Sequence, residues 1–177
     1  MLQMVLTQCL QPGCVKVPLA GKDKRAVITE LVNVLDDGNL LLNKDIALKA
    51  ILAREHLRST GIGLGVAIPH GKCKAVKQTV MAIGIAHQPI DFDSIDGKPV
   101  SIITLLISPA EQTGQHLKAL AGINRLMLDE ALRNEIKKTR SAEEVWYLLG
   151  RNSHFNTKND KSVMFPSLNY NNVVFNH

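Results

Sequence analysis

Residues 59–73 read STGIGLGVAIPHGKC, and this run constrains the fold and chemistry of the chain more than any other stretch. Flexible glycines lead into a short apolar segment, which stops at Pro69, His70 and Gly71. Proline fixes φ, and glycine reaches backbone conformations closed to other residues, so the pattern predicts a histidine held at a strand end. Backbone N–H groups would then approach whatever the imidazole binds. The alternative interpretation is an ordinary surface turn.

Two common phosphate-binding loops do not fit this run. Gly61, Gly63 and Gly65 give GxGxG, whereas a dinucleotide-binding loop needs its third glycine where Val66 stands. A P-loop needs a glycine at that same position, and a serine or threonine where Cys73 stands. The run therefore does not predict an ATP or NAD site.

Two other segments offer groups that could bind an anion beside the histidine. Arg54 precedes the glycine loop, and its guanidinium can bind a phosphoryl group through two parallel hydrogen bonds. Thr113 is the predicted N-cap of a later helix, which places His116 in the first turn, where free N–H groups and the helix dipole favour an anion. Convergence of Arg54, His70 and His116 on one phosphoryl group is a hypothesis at this point.

The remaining pattern predicts an α/β domain, because helical and strand-like segments are interleaved along the chain. The predicted strands cover residues 15–19, 66–68, 80–85 and 100–107, and the predicted helices cover residues 27–37 before Gly38, residues 44–57 after a cap at Asn43, and residues 114–128, 130–138 and 142–149. This order of strands and helices predicts a mixed sheet that is flanked by helices.

Charge and composition narrow the class of function. The formal charge is +5, yet the Lys and Arg residues are scattered without interleaved aromatics, so nucleic-acid binding is not predicted. Three cysteines without a CxxC pair indicate neither a disulfide framework nor a zinc site. No stretch approaches the roughly 18 to 20 apolar residues that span a bilayer, so we predict no membrane insertion and a cytoplasmic location.

Three segments together resemble a known family. ILAREHLRSTGIGLGVAIPHGK, PIDFDSIDGKPV and LLISPAEQTGQHLKALAGINRLMLDEALRNEI are similar to the type-2 EIIA domain of the bacterial phosphoenolpyruvate phosphotransferase system, in particular its nitrogen-regulatory, fructose-like branch. The resemblance extends over about residues 5–150. It implies a three-layer α/β/α sandwich with a mixed sheet flanked by helices.

The resemblance also implies a phosphotransferase that works through a phosphohistidine. His70 matches the family histidine that accepts a phosphoryl group from an HPr-like carrier protein, and Arg54 and His116 match residues that help to hold the group. Ser59, Thr60 and Gly71 match positions beside the phosphoryl site. No cofactor and no metal are expected. The onward partner is either a set of regulatory targets or an EIIB subunit of a sugar transporter; a non-transferring regulatory module is a further alternative.

The composition changes near Gly150. Residues 1–150 are predicted to form the EIIA domain, and residues 151–177, rich in asparagine and phenylalanine, are predicted to form a flexible tail. The composition leaves open a disordered segment, a docking strand or the product of a shifted reading frame. Apolar surface near the tail would also allow a homodimer.

Overall fold

A mixed sheet of six strands lies at the centre of the structure, a computed structural model that describes residues 9–152. The strands are β1 (Leu10–Lys16), β2 (Gly61–Gly63), β3 (Val66–Ala67), β4 (His70–Cys73), β5 (Val80–Ile90) and β6 (Val100–Pro109). The helices are α1 (Lys24–Asp37), α2 (Lys44–Leu57), α3 (Thr113–Met127), α4 (Glu130–Lys138) and α5 (Ala142–Asn152). No helix in this part of the chain is both long and apolar enough to cross a bilayer.

Strands β5 and β6 form the antiparallel centre of the sheet, because their apolar runs are buried along nearly their whole length. Strand β1 pairs with β5 in parallel, and β3 and β4 follow one another along the opposite edge of β6, both parallel to it. The break between them falls at Pro69, whose carbonyl still accepts a bond from Leu106 N–H. His70 therefore begins β4 directly opposite Leu106, near the end of β6.

Helices flank the sheet in the three-layer α/β/α sandwich that the sequence predicted. Helix α2 packs against β4, and α3 packs against β6. The close approach of α2 favours a glycine, since a Cβ built on Gly71 would lie 3.1 Å from Ile51 Cδ1, a tight contact. The backbone at Gly71 does not use the left-handed region, so the expectation of an unusual conformation there is corrected: the glycine makes room for a helix.

The predicted helices are confirmed, and two of their ends are confirmed in atomic detail. Asn43 Oδ1 accepts the Ile46 N–H at 2.9 Å, and Gly38 is the C-cap of α1. Helix α5 continues to Asn152, past the boundary predicted at Gly150. The tail predicted from there onward lies, from residue 153, outside the described residues.

Three expectations about local structure need correction. The first strand begins at Leu10 rather than Val15, and β2 and β4 were not predicted as strands. The predicted N-cap Thr113 is instead the first residue of α3; Gln112 is the N-cap and makes no side-chain capping bond. The Thr113 hydroxyl instead accepts a hydrogen bond from Lys72 Nζ at 2.7 Å.

The hairpin of β2 and β3 has an unusual turn residue. Its two central residues, Leu64 and Gly65, have φ values of 61° and 75°, the signs that a type I′ turn requires. Leucine in this region has a steric cost that glycine and asparagine largely avoid. The Leu64 N–H donates to Asp96 Oδ2 at 3.0 Å, a bond that helps to fix the turn.

Replacing Leu64 by asparagine is therefore expected to raise the free energy of unfolding by about 0.5–1 kcal/mol. Denaturant-induced unfolding measures the change. Leu42→Asn is the matched control, because Leu42 is also an exposed leucine and its φ is not positive. A gain of equal size in both variants, or a loss in Leu64→Asn, would contradict the steric explanation.

Candidate phosphoryl-transfer site

His70 has one ring nitrogen fixed by the backbone. Its Nδ1 lies 2.7 Å from the carbonyl oxygen of Ile68, and a carbonyl only accepts, so Nδ1 must hold the proton. Burial lowers the pKa of His70, and the charge of Arg54 lowers it further, against the opposing effect of the Ile68 bond. At neutral pH the ring is therefore uncharged, with its lone pair on Nε2.

Helix α2 brings Arg54 to the same site. Its Nη1 donates to the carbonyl of Arg58, the C-cap residue of α2, at 2.9 Å, so the end of the helix orients the guanidinium. The positive charge of Arg54 lowers the pKa of His70, so the guanidinium acts electrostatically on this site. The remaining N–H groups of the guanidinium are suited to bind a phosphoryl group.

His116, from α3, lies beside His70. The two ring centroids are 5.6 Å apart and the rings are inclined at 52°. Burial lowers the pKa of His116 to about 4, and the charges of His70 and Lys72 act in the same direction. Because its pKa is lowered, this imidazole is also uncharged at neutral pH. One of its nitrogens is hydrogen-bonded, since Nδ1 lies 2.9 Å from Ser108 Oγ.

The first turn of α3 adds backbone donors near these rings. Gln112 provides no side-chain cap, and a Cβ built on Gly114 would meet nothing within 4 Å. The first N–H groups of a helix have no partner within the helix, and they favour an anion. Of the three residues that the sequence singled out, the structure brings His70 and His116 together near a helix N-terminus, and Arg54 acts on His70 through its charge.

The hydroxyl groups of Ser59 and Thr60, at the start of the glycine loop, form hydrogen bonds with other groups of the protein. Ser59 Oγ donates to the carbonyl of Phe92 and accepts the Gly61 N–H at 3.1 Å. Thr60 is buried, and its hydroxyl donates to a carboxylate of α2. A direct role of Ser59 and Thr60 in phosphoryl binding remains a prediction; their observed contacts hold the loop in place.

That carboxylate belongs to Glu55, which sequence reasoning missed. Glu55 is 7% exposed and accepts the Thr60 N–H at 3.0 Å, the Thr60 hydroxyl, and Lys24 Nζ at 3.3 Å. It therefore connects α2, and with it Arg54, to the start of the glycine loop. A signal was present in the sequence, because Ala47, Ile51 and Glu55 are spaced by four residues and share the buried face.

The chain is similar to known proteins over most of its described length. Residues 8–152 match the profile of the family described as phosphoenolpyruvate-dependent sugar phosphotransferase system, EIIA 2. The chain belongs to this EIIA family. Domains of the family act in phosphoryl transfer, so the EIIA domain described here is a phosphoryl-transfer protein in that broad sense. Within residues 9–152, no group of three or more His, Cys, Asp or Glu side chains is arranged to bind a metal ion.

Two relatives illustrate how this EIIA domain occurs in other proteins. It is 34% identical over 147 residues to the nitrogen regulatory protein of Klebsiella oxytoca, an alignment that covers 81% of this chain and 89% of the relative. It is 32% identical over 142 residues to the fructose-specific EIIABC component of Bacillus subtilis, covering 80% of this chain but 22% of that protein. The EIIA domain therefore spans about a fifth of the larger relative.

A solved structure has the same fold. The crystal structure of the nitrogen regulatory protein IIA-Ntr from Neisseria meningitidis superimposes with a TM-score of 0.74 at 33% sequence identity. The match covers 82% of this chain and 99% of that one. The EIIA fold predicted from the sequence is thus present in a solved structure, and it extends over nearly the whole length of that structure.

Removing the Glu55 carboxylate is expected to destabilise the EIIA domain. Glu55→Ala would leave the Thr60 N–H and hydroxyl buried without their acceptor and Lys24 without a buried partner, at a cost of about 2–4 kcal/mol. Urea unfolding measures the loss. Glu135→Ala is the control, because the Glu135–Arg151 ion pair is about half exposed and should contribute about 1 kcal/mol or less. Similar losses in the two variants would contradict the assignment.

Proposed function

We propose that this EIIA domain is a phosphocarrier whose His70 Nε2 accepts a phosphoryl group from an HPr-like, histidine-phosphorylated protein. The observation that supports this most is the bond from His70 Nδ1 to the Ile68 carbonyl. It fixes the tautomer, so that the lone pair needed for attack is on Nε2. No external base is required, because that nitrogen is already unprotonated at neutral pH.

In the proposed transfer, the Nε2 lone pair forms a bond to phosphorus while the nitrogen–phosphorus bond of the donor breaks. The electron pair of that bond returns to the donor imidazole, and the His70 Nδ1 proton stays in place. The Ile68 carbonyl stabilises the positive charge that develops on the ring as the bond forms. Both partners are nitrogen nucleophiles, so the step needs no cofactor.

Negative charge spreads over the three phosphoryl oxygens in the transition state, and fixed donors stabilise it. The Arg54 guanidinium provides charged donors, held by its bond to the Arg58 carbonyl. His116 and the first N–H groups of α3 provide neutral donors on the other side of the site. The catalytic contribution of this chain is positioning and electrostatic stabilisation.

Two exposed apolar side chains lie within a few residues of Arg54 and His116 in the chain and offer a docking surface for the carrier. Leu57, at the end of α2, is 80% exposed, and Leu117, next to His116, is 59% exposed. Large exposed apolar groups near a reacting side chain are typical of protein interfaces. We propose that the carrier contacts both leucines when its phosphohistidine reaches His70.

Phosphoryl acceptance should persist at mildly acidic pH. A protonated imidazole has no lone pair, and the lowered pKa of His70 keeps the ring neutral down to a pH below the usual histidine value of about 6.5. NMR titration of the His70 ring in the intact protein measures this directly. A peptide of residues 66–73 is the unfolded control. A midpoint in the protein equal to or above that of the peptide would contradict the assignment.

Intact-mass analysis tests the proposed function. The protein is incubated with phosphoenolpyruvate, the first enzyme of the phosphotransferase chain and its HPr-like carrier, and we expect one acid-labile phosphoryl group per molecule. Omitting the carrier should prevent the gain. If the carrier is shown to be phosphorylated and this chain gains nothing, the alternative of a non-transferring regulatory module is supported instead.

We consider two uses of the phosphoryl group, regulation of target proteins and transfer to a transporter subunit, and place both in the cytoplasm. We favour regulation, because both the Klebsiella relative and the solved Neisseria structure are nitrogen regulatory proteins. Phosphorylation would then change the charge of the surface around His70 and thereby its regulatory targets. The alternative is transfer to an EIIB subunit of a fructose-type transporter, as the name of the Bacillus relative suggests. Rapid discharge of the phosphorylated protein to isolated EIIB would favour the alternative.

A further inference from the structure

A chain of two buried hydroxyl groups leads to His116. Thr79, just before β5, donates from Oγ1 to Ser108 Oγ at 3.0 Å, and Ser108 Oγ lies 2.9 Å from His116 Nδ1. Ser108 is fully buried, and Thr79 and His116 are each about 6% exposed. Water therefore has little access to these groups, and the direction of each hydrogen bond follows from the protein's own donors and acceptors.

Only one arrangement of the protons uses every hydroxyl hydrogen. If Thr79 donates to Ser108, the Ser108 hydroxyl is free to donate to His116 Nδ1. In the opposite arrangement His116 Nδ1 donates to Ser108 and Ser108 donates to Thr79, which leaves the Thr79 hydrogen without an acceptor among the side-chain hydrogen bonds of residues 9–152. A buried donor without a partner costs about 1–3 kcal/mol, so the first arrangement is favoured.

We propose that Ser108, which Thr79 holds in place, is a positioning residue that keeps His116 as the Nε2–H tautomer, ready to donate to a phosphoryl group on His70. The inference rests on the proposed function for its purpose, but not for the tautomer itself. A neutral His116 of the other tautomer would present a lone pair to the phosphoryl oxygens, and that contact is repulsive. The Ser108 hydroxyl thus decides whether the second histidine is a donor at all.

The effect on transfer should appear in the rate rather than in docking. The donated N–H bond strengthens as charge develops on the phosphoryl oxygens, so its loss raises the barrier to transfer more than it weakens carrier binding. Ser108→Ala removes the hydroxyl that donates to His116 Nδ1, and Ser108→Thr keeps one. We expect about a five- to tenfold slower transfer in Ser108→Ala, near wild-type transfer in Ser108→Thr, and similar half-saturating carrier concentrations in both.

The decisive experiment is a ¹⁵N NMR measurement of the His116 ring in the unphosphorylated full-length protein at neutral pH. We expect a protonated Nε2 in the wild type and in Ser108→Thr, and a larger fraction of the Nδ1–H tautomer in Ser108→Ala, where Nδ1 has lost its hydroxyl donor. An Nδ1–H tautomer in the wild type, or an unchanged tautomer in Ser108→Ala, would overturn the inference. The wild-type result stands on its own if Ser108→Ala fails to fold.

The two proposals fail in distinguishable ways. If the carrier leaves no phosphoryl group on the protein while His116 has the Nε2–H tautomer, the proposed function fails and the positioning role of the hydroxyls lacks its purpose. If His70 is phosphorylated at the wild-type rate while His116 has the Nδ1–H tautomer, the inference about Thr79 and Ser108 fails alone.

Discussion

Replacing His70 by glutamine is expected to abolish stable phosphoryl labelling. Glutamine can still donate a hydrogen bond toward the Ile68 carbonyl, but its amide nitrogen has no available lone pair to attack phosphorus. The loss of labelling should therefore be complete within the detection limit of intact-mass analysis. We expect little change in the stability of the fold, because His70 is only half-buried.

His87→Gln is the matched control for that variant. His87 Nε2 binds the carbonyl of Thr139 at 2.9 Å, on another part of the molecule, so this substitution removes an imidazole without changing the site. We expect the control to gain one phosphoryl group as the wild type does. Labelling of His70→Gln at the wild-type level would mean that another residue is the acceptor.

Replacing Arg54 by alanine is expected to slow phosphoryl transfer by about 10²–10³-fold, the usual cost of removing one preorganised donor to transition-state charge. The half-saturating concentration of the carrier should change much less, because the guanidinium interacts with charge that is largest in the transition state. Single-turnover transfer from the phosphorylated carrier measures both quantities. Arg54→Lys keeps the charge but loses the planar fork, so we expect an intermediate rate.

Arg58→Ala is the control for the charge that Arg54→Ala removes. Arg58 is exposed, and only its backbone carbonyl binds Arg54, so alanine retains that contact while it lowers the net charge by the same amount. A small rate change in Arg58→Ala beside a large one in Arg54→Ala would support a specific role for Arg54. Equal rates in wild type and Arg54→Ala would contradict that role.

Local sequence was sufficient to predict the helices and the central strands. The apolar residues of α1 recur at helical spacing, and the runs that became β5 and β6 are apolar enough to be buried on both faces. Strands β2 and β4 could not be predicted in this way. They have three and four residues and contain glycine, so their sequences show no alternating pattern. Strand β4 forms because it pairs with the distant β6, and β2 forms because it pairs with β3, which is itself held by β6.

The site shows the same division between local and long-range information. His70 stands out because proline and glycine surround it, and Arg54 and His116 fit the same anion-binding hypothesis. Ser108 and Thr79 gave no such signal, because a hydroxyl in an apolar strand is common and its partner depends on how β5, β6 and α3 pack. The cap at Thr113 was wrong by one residue, because the helix begins at Thr113 itself and the Thr113 hydroxyl binds Lys72 of β4.

The account depends most on His70 Nε2 as the acceptor atom, and NMR of the ¹⁵N-labelled, phosphorylated protein tests this directly. Coupling between phosphorus and a ring nitrogen identifies the bonded atom, and the exchangeable ring proton identifies the other nitrogen. We expect phosphorus on Nε2 of His70, with Nδ1 still bonded to the Ile68 carbonyl. Phosphorus on Nδ1 of His70, or on any other residue, would contradict the central claim.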